Sequence, residues 1–269
     1  LLVSGARLKR AEPYHLILLF YAFAREIAPL RRRVIDRRPL AHPQLHGVRA
    51  GLYGRELAMI ATGIGHARAS RTAAHAMEQF PAAELVIATG VAGALAEYLR
   101  PGDLVLAERV FADALGEEIP REIAIAREQL DSIAAALDAQ QLRHVRGAML
   151  TAGRVLPGAR EKAAAHAQTG AIAVDMETAA LAAQAARHGV PFVSLRTILD
   201  AVGDEIVGPK IDESGRVRAL ATASGLMRNP GALFKIPRMM KNLSLATNAL
   251  ADALEAIIAH GSGAAPPRG

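Results

Sequence analysis

The chain contains no cysteine and no tryptophan. The first absence rules out disulfides, thiolate metal sites and a cysteine nucleophile. Aromatic residues make up only 4% of the sequence. A nucleic-acid surface that stacks bases on aromatics interleaved with cations is therefore not expected, although the chain is basic. No apolar run approaches the ~18 residues of a membrane-crossing helix. The longest, Leu16 to Ala24, fits a buried strand and the turn after it. His42 and His46 are spaced i,i+4, but Pro43 lies between them and no acidic residue is close. HExxH, Walker A and GxSxG patterns are missing. No metal and no cofactor is expected. Residues 1–13 lack the apolar stretch of a secretion signal, and a cytoplasmic location is the expectation.

What is present reads as one large folded unit. The 269 residues are 51% hydrophobic and 22% charged, enough to bury a sizeable core. A single domain is expected over 14–260, with flexible ends at 1–13 and 261–269. The net charge of +6 is concentrated in two places. Arg25, Arg31, Arg32, Arg33, Arg37 and Arg38 crowd the early chain, and Arg228, Lys235, Arg238 and Lys241 form a second group. The second lies in a basic helical extension, about 216–258, broken at Asn229-Pro230-Gly231. Between Leu226 and Leu245 there is no acidic residue, while leucines and methionines recur. That pattern is compatible with peripheral membrane contact through 226–245, or with a helix packed on its own domain.

Strand and helix patterns alternate through the first 200 residues. Strands are expected at 15–20, 84–89, 103–111, 145–151, 171–174 and 191–198, with a hairpin over 46–53 and 56–62 that turns at Tyr53-Gly54-Arg55. Helices are expected at 26–38, 66–80, 121–140, 159–168 and 177–188. This alternation predicts an α/β fold, a three-layer α/β/α arrangement around a central mixed, largely parallel sheet. Ligands in such sheets gather beyond the carboxyl ends of strands. Gly63, Gly90, Thr151, Asp175 and Asp200 all fall at such ends.

Four constellations stand there. Gly63-Ile64-Gly65 opens a helix, but Arg68 occupies the third glycine position of a dinucleotide fingerprint. Gly90-Val91-Ala92-Gly93 reads as a second glycine turn. Asp175-Met176-Glu177 puts two carboxylates at a helix start, either as dipole partners or as acceptors for a sugar diol. Asp200 ends a buried strand four residues after Arg196, either as a helix N-cap or as a general acid.

In these residues the chain resembles the nucleoside phosphorylase/nucleosidase superfamily over roughly 15–202. TGIGHARAS (62–70), TGVAGAL with GDLVL (89–95, 102–106), VDMETAALA (174–182) and RTILD (196–200) are similar to its motifs and occur in their order. Among its members the 5′-methylthioadenosine/S-adenosylhomocysteine nucleosidases and the hopanoid-associated phosphorylases are the nearest in motif. The latter likeness rests on DESGRV, GLMRNPGAL and the basic helix. The resemblance implies cleavage of the N-glycosidic bond of an adenosine-type nucleoside, with adenosylhopane as one substrate and methylthioadenosine as another. It implies Asp200 as general acid, Glu26 as water-activating base and Glu177 as ribose holder. Val155 and Leu156 would read the base edge, and Ala92, Gly93 and Met176 would line the sugar pocket. Gly90, Ile64, Asp175 and Arg196 complete the expected substrate-binding set. The pattern departs at Val91, where a small hydroxyl residue is usual, and at Ala88, where hexameric phosphorylases carry a phosphate-binding arginine. Arg25 falls on another phosphate-binding arginine. Water is taken as the nucleophile, with phosphate as the one co-substrate left open. A homodimer or higher homo-oligomer is implied, with a small-molecule purine nucleoside as ligand. A binding protein without turnover is the rival reading.

Overall fold

A computed structural model describes residues 16–113, 115, 116, 119–204 and 231–260. The expected tails, the 216–227 helix, DESGRV and most of GLMRNPGAL lie outside the described residues.

The protein is an α/β fold with a mixed, largely parallel sheet and helices around it. Its strands are β1 (Leu16–Tyr21), β2 (Ile35–Pro39), β3 (His46–Leu52), β4 (Arg55–Ala61) and β5 (Ala83–Ala94), followed by β6 (Leu104–Ala112), β7 (Glu122–Ala124), β8 (His144–Thr151), β9 (Ala173–Asp175) and β10 (Phe192–Asp200). They join in the order β10-β6-β8-β9-β5-β1-β4-β3-β2, with β7 on β6 and a further pairing of β10 with β5. That last pairing closes β5, β10, β6, β8 and β9 into a ring, beside which β1 to β4 form an open flank. β1 is buried at every position, as a parallel strand covered on both faces should be. Tyr53 and Gly54 both have positive φ, 49° and 74°, the conformation of a tight hairpin turn between β3 and β4.

The helices are α1 (Ala28–Arg33), α2 (His66–Gln79), α3 (Arg127–Ala139), α4 (Ala159–Thr169), α5 (Thr178–Arg187) and α6 (Gly231–His260). α2 buries Ala69, Ala73, Ala76 and Met77, one helical face of small residues. It packs on α5, whose residues Thr178–Ala185 are all buried. Alanines on both sides let the two helices approach closely over the strand ends. From Ala246 onward α6 adds Leu250, Leu254 and Ile258 to the core. It is pinned to the early arginine cluster by Arg33, which reaches Asp252 and Glu255 at 2.6 Å each, and by the Tyr53 hydroxyl, which donates to Glu255 at 2.6 Å. No described helix is long and apolar enough to cross a membrane.

Three expectations are corrected. The helix expected over 26–38 stops at Arg33, because the β-branched pair Val34-Ile35 turns extended and 35–39 becomes an exposed edge strand on β3. Its arginines then charge an edge, which discourages pairing with other chains. The helix expected over 121–140 begins only at Arg127, since 122–124 pair with β6. The glycine turn expected at 90–93 is a continuation of β5, which runs to Ala94 and there meets β9. Its glycines serve close approach rather than reversal.

Candidate active site

The carboxylates of the site sit at strand ends or a few residues beyond them. After β1 the chain turns at 22–27 and folds the Glu26 side chain back onto its own backbone. The Glu26 carboxylate accepts N–H bonds from Ala22 at 2.7 Å, Phe23 at 3.1 Å and Val91 at 2.9 Å. It is buried, and burial raises its proton affinity, against the opposing pull of Arg196 and those N–H groups. Its neighbour Arg25 is exposed.

Gly90 makes this fit possible. Its φ is 131°, and a methyl group there would lie 2.5 Å from Glu26 Oε1 and 2.8 Å from Arg196 Nη1. Arg196, from the middle of β10, is 1% exposed and bonded on every side. It donates to the Thr89 carbonyl at 2.7 Å and the Thr178 hydroxyl at 2.9 Å, and pairs with Asp175 at 2.6 Å.

Asp175, at the end of β9, is fully engaged. Its Oδ2 takes Arg196, the Thr178 amide at 3.0 Å and the Thr178 hydroxyl at 2.5 Å, while Oδ1 accepts the Thr151 hydroxyl at 2.8 Å. Asp175 and Arg196, both expected among the substrate ligands, thus bond to one another and to Thr89, Thr151 and Thr178.

Glu177, two residues on, holds the N-cap position of α5, but its side chain crosses to the glycine turn after β4 and makes no cap bond. Gly65 N–H donates to its Oε1 at 2.7 Å. Burial and the nearby charge of Asp175 raise its pKa to about 8, against Arg196 and the Gly65 N–H. Met176, beside it in sequence, and Ile64, beside Gly65, are half-buried, and Ala92 and Gly93 are buried in β5.

Asp200 ends β10 in register with Gly93, after an irregularity in the strand. A methyl group on Gly93 would lie 3.1 Å from Asp200 Oδ2, so the acid rests on the bare backbone of β5. Burial raises its pKa, and Lys162 opposes that rise. Lys162 was not foreseen. It is fully buried on α4 and reaches Asp200 Oδ2 at 2.5 Å. The only hint in the sequence is a lysine in an alanine-rich helix, indistinguishable there from a solvated one. Leu156 packs with Leu95, Leu150 and Ala171, and Val155 beside it is half-buried.

The glycines of β5 thus act as a ruler. Glu26 lies over Gly90 and Asp200 over Gly93, with about 10 Å of strand between them. Beyond β1 and β4 lies a hollow of about 490 Å³ whose lining includes Ala22, Thr62, Gly63, Arg68, Arg71 and His75. Among the described residues no group of three or more His, Asp or Glu side chains could hold a metal.

An α/β ring flanked by an open sheet, with carboxylates at the strand ends beside glycine turns, defines a class of fold known from enzymes that act on nucleosides. The family model of the phosphorylase superfamily matches residues 17–225, and the chain belongs to that family. It is 26% identical over 191 residues to the 5′-methylthioadenosine/S-adenosylhomocysteine nucleosidase of Staphylococcus haemolyticus, covering 66% of this chain and 83% of the relative. The fold matches the nucleosidase of the same name from Neisseria meningitidis, solved with methylthio-immucillin-A, with a TM-score of 0.71 at 20% identity over 91% of this chain and 98% of that one. It also matches futalosine hydrolase of Helicobacter pylori, with a TM-score of 0.71 at 18% identity over 91% and 97% of the two chains.

Proposed function

We propose that this protein cleaves the N-glycosidic bond of an adenosine-type nucleoside, with water as the attacking group. The observation that carries the reading is the separation of its carboxylates along β5, with Glu26 over Gly90, Asp200 over Gly93, and Glu177 held at the Gly65 turn. On this reading the acid and the base act from either side of the sugar. Asp200 gives its proton to the leaving base, which departs neutral with the electron pair of the C–N bond. The ribosyl group gains oxocarbenium character, as in other glycoside cleavages. Glu177, as a carboxylate, holds the diol and stabilises the positive charge. Glu26 takes a proton from the water that attacks the sugar carbon. The likeness to nucleosidases supports this reading, as does the exposure of Arg25.

Phosphorolysis is the second reading. The cationic lining of the hollow beside Ala22 favours it, since Arg68, Arg71 and His75 would suit an anion. For the 5′ substituent, adenosylhopane tests a large apolar group and methylthioadenosine a small one. The deciding experiment measures adenine release from adenosine, methylthioadenosine and adenosylhopane, with and without phosphate. Release without phosphate is expected. Release only with phosphate would move the role of attacking group to phosphate. No release from any of them would overturn the proposal.

A further inference from the structure

α4 is attached to the domain by an unusual anchor. Of its eleven residues, Ala159–Thr169, Lys162 alone is buried. A buried ammonium is costly unless its donors are satisfied. Lys162 satisfies them on one short segment, donating to Asp200 Oδ2 at 2.5 Å, the Ala201 carbonyl at 2.8 Å and the Asp204 carbonyl at 3.3 Å. An ammonium has three protons, and here all three go to the end of β10 and the turn after it. The same turn is closed by Ala201 N–H donating to Asp204 Oδ2 at 2.9 Å, and Arg238 of α6 pairs with Asp204 Oδ1 at 2.9 Å. An apolar side chain could dock a helix at less cost. An ammonium aimed at the proposed general acid does something an apolar side chain cannot.

We propose that Lys162 is a positioning residue that works through Asp200, fixing Oδ2 so that Oδ1 faces the leaving base and stabilising the negative charge that appears on Asp200 as its proton leaves. Among the described residues Oδ1 carries no hydrogen bond. When the O–H bond of Asp200 breaks and the proton joins the base, the carboxylate left behind is already paired. That interaction is stronger in the transition state than in the ground state, where Asp200 is neutral, and so it accelerates the chemical step. The same pairing limits how tightly Asp200 keeps its proton. Among the described residues the charged groups around Asp200 are Lys162 from α4 and Asp204 from the adjoining turn, with Arg238 of α6 on the far side of Asp204. On the β5 side the carboxyl faces the bare backbone of Gly93.

This inference rests on Asp200 as general acid, and the test separates the two. The pH profile of kcat for adenine release is measured for wild type, Asp200→Asn, Lys162→Met and Lys162→Arg. With Lys162→Met, kcat on the plateau is expected to fall about 10–10²-fold, the cost of a misplaced acid. The alkaline limb is expected to move up by about one pH unit or more, because an opposite charge has been removed. Lys162→Arg should return the limb toward wild type, which a purely structural role would not require. An alkaline limb unmoved in a folded Lys162→Met variant would overturn the proposal. Activity retained in Asp200→Asn would instead overturn the general-acid reading. Should Lys162→Met fail to fold, the lysine ammonium ¹⁵N resonances of wild type and Asp200→Asn decide. One exchange-protected resonance that shifts when the Asp200 carboxyl is replaced by the amide is expected, and no such resonance would sink the idea.

Discussion

The two ends of the site use the same functional group in opposite surroundings. At one end Glu26, Glu177 and Asp175 share a single guanidinium, that of Arg196, with backbone N–H groups making up the remainder. At the other end Asp200 has an ammonium of its own. Burial pushes proton affinity upward at both ends, but the charge balance differs. Once Glu177 is ionised, as the proposed reaction requires, the crowded end carries excess negative charge, which suits a sugar that becomes positive. The paired end holds one carboxyl whose proton is easily released. Environment rather than residue type separates the two tasks.

The comparison breaks most completely at Asp200. Asp200→Asn cannot give up a proton, and kcat for adenine release should fall about 10²–10⁴-fold, with substrate binding largely kept. Glu177→Gln removes the carboxyl that would ionise on binding the sugar at the crowded end. A loss of similar or slightly smaller size is expected there, with KM rising as the diol loses its acceptor. Gly90→Ala pushes a methyl group against Glu26 and Arg196 and adds strain at a φ of 131°. About 10²-fold loss of activity and a lower melting temperature should follow, measurable by thermal unfolding. Arg196→Met leaves Asp175 buried without its cation, and unfolding in denaturant should show destabilisation of about 3–5 kcal/mol.

The smallest effect is the most diagnostic. Glu177 keeps its proton in the folded protein up to about pH 8, whereas in the unfolded chain it loses it near 4.5. Between those values the folded state binds more protons, so the Glu177 contribution makes stability decline as pH rises. Glu177→Gln should flatten that decline when chemical denaturation is followed from pH 5 to 8. An unchanged slope would remove the crowded-end argument.

Much of this was legible before any coordinates. Period-two and period-3.6 patterns located most elements, and the ends of apolar strands pointed to Gly63, Gly90, Asp175 and Asp200. Local pattern could not show the closing of the ring. Pairing of β5 with β9 and with β10 depends on residues about 80 and about 106 positions apart. Nor could it separate Asp175 from Glu177. Two carboxylates in Asp175-Met176-Glu177 look alike in sequence, yet one faces Thr178 and Arg196 while the other reaches Gly65. Lys162 was invisible for the same reason, since its partner lies 38 residues away.

The shared guanidinium has a calorimetric consequence. A nucleoside that needs Glu177 as a carboxylate meets, at neutral pH, an enzyme in which that group holds a proton. Binding must then expel it to the solvent. The heat of binding of a non-reacting nucleoside analogue should therefore vary with the ionisation enthalpy of the buffer, and its affinity should increase as the medium becomes more alkaline, up to about pH 8.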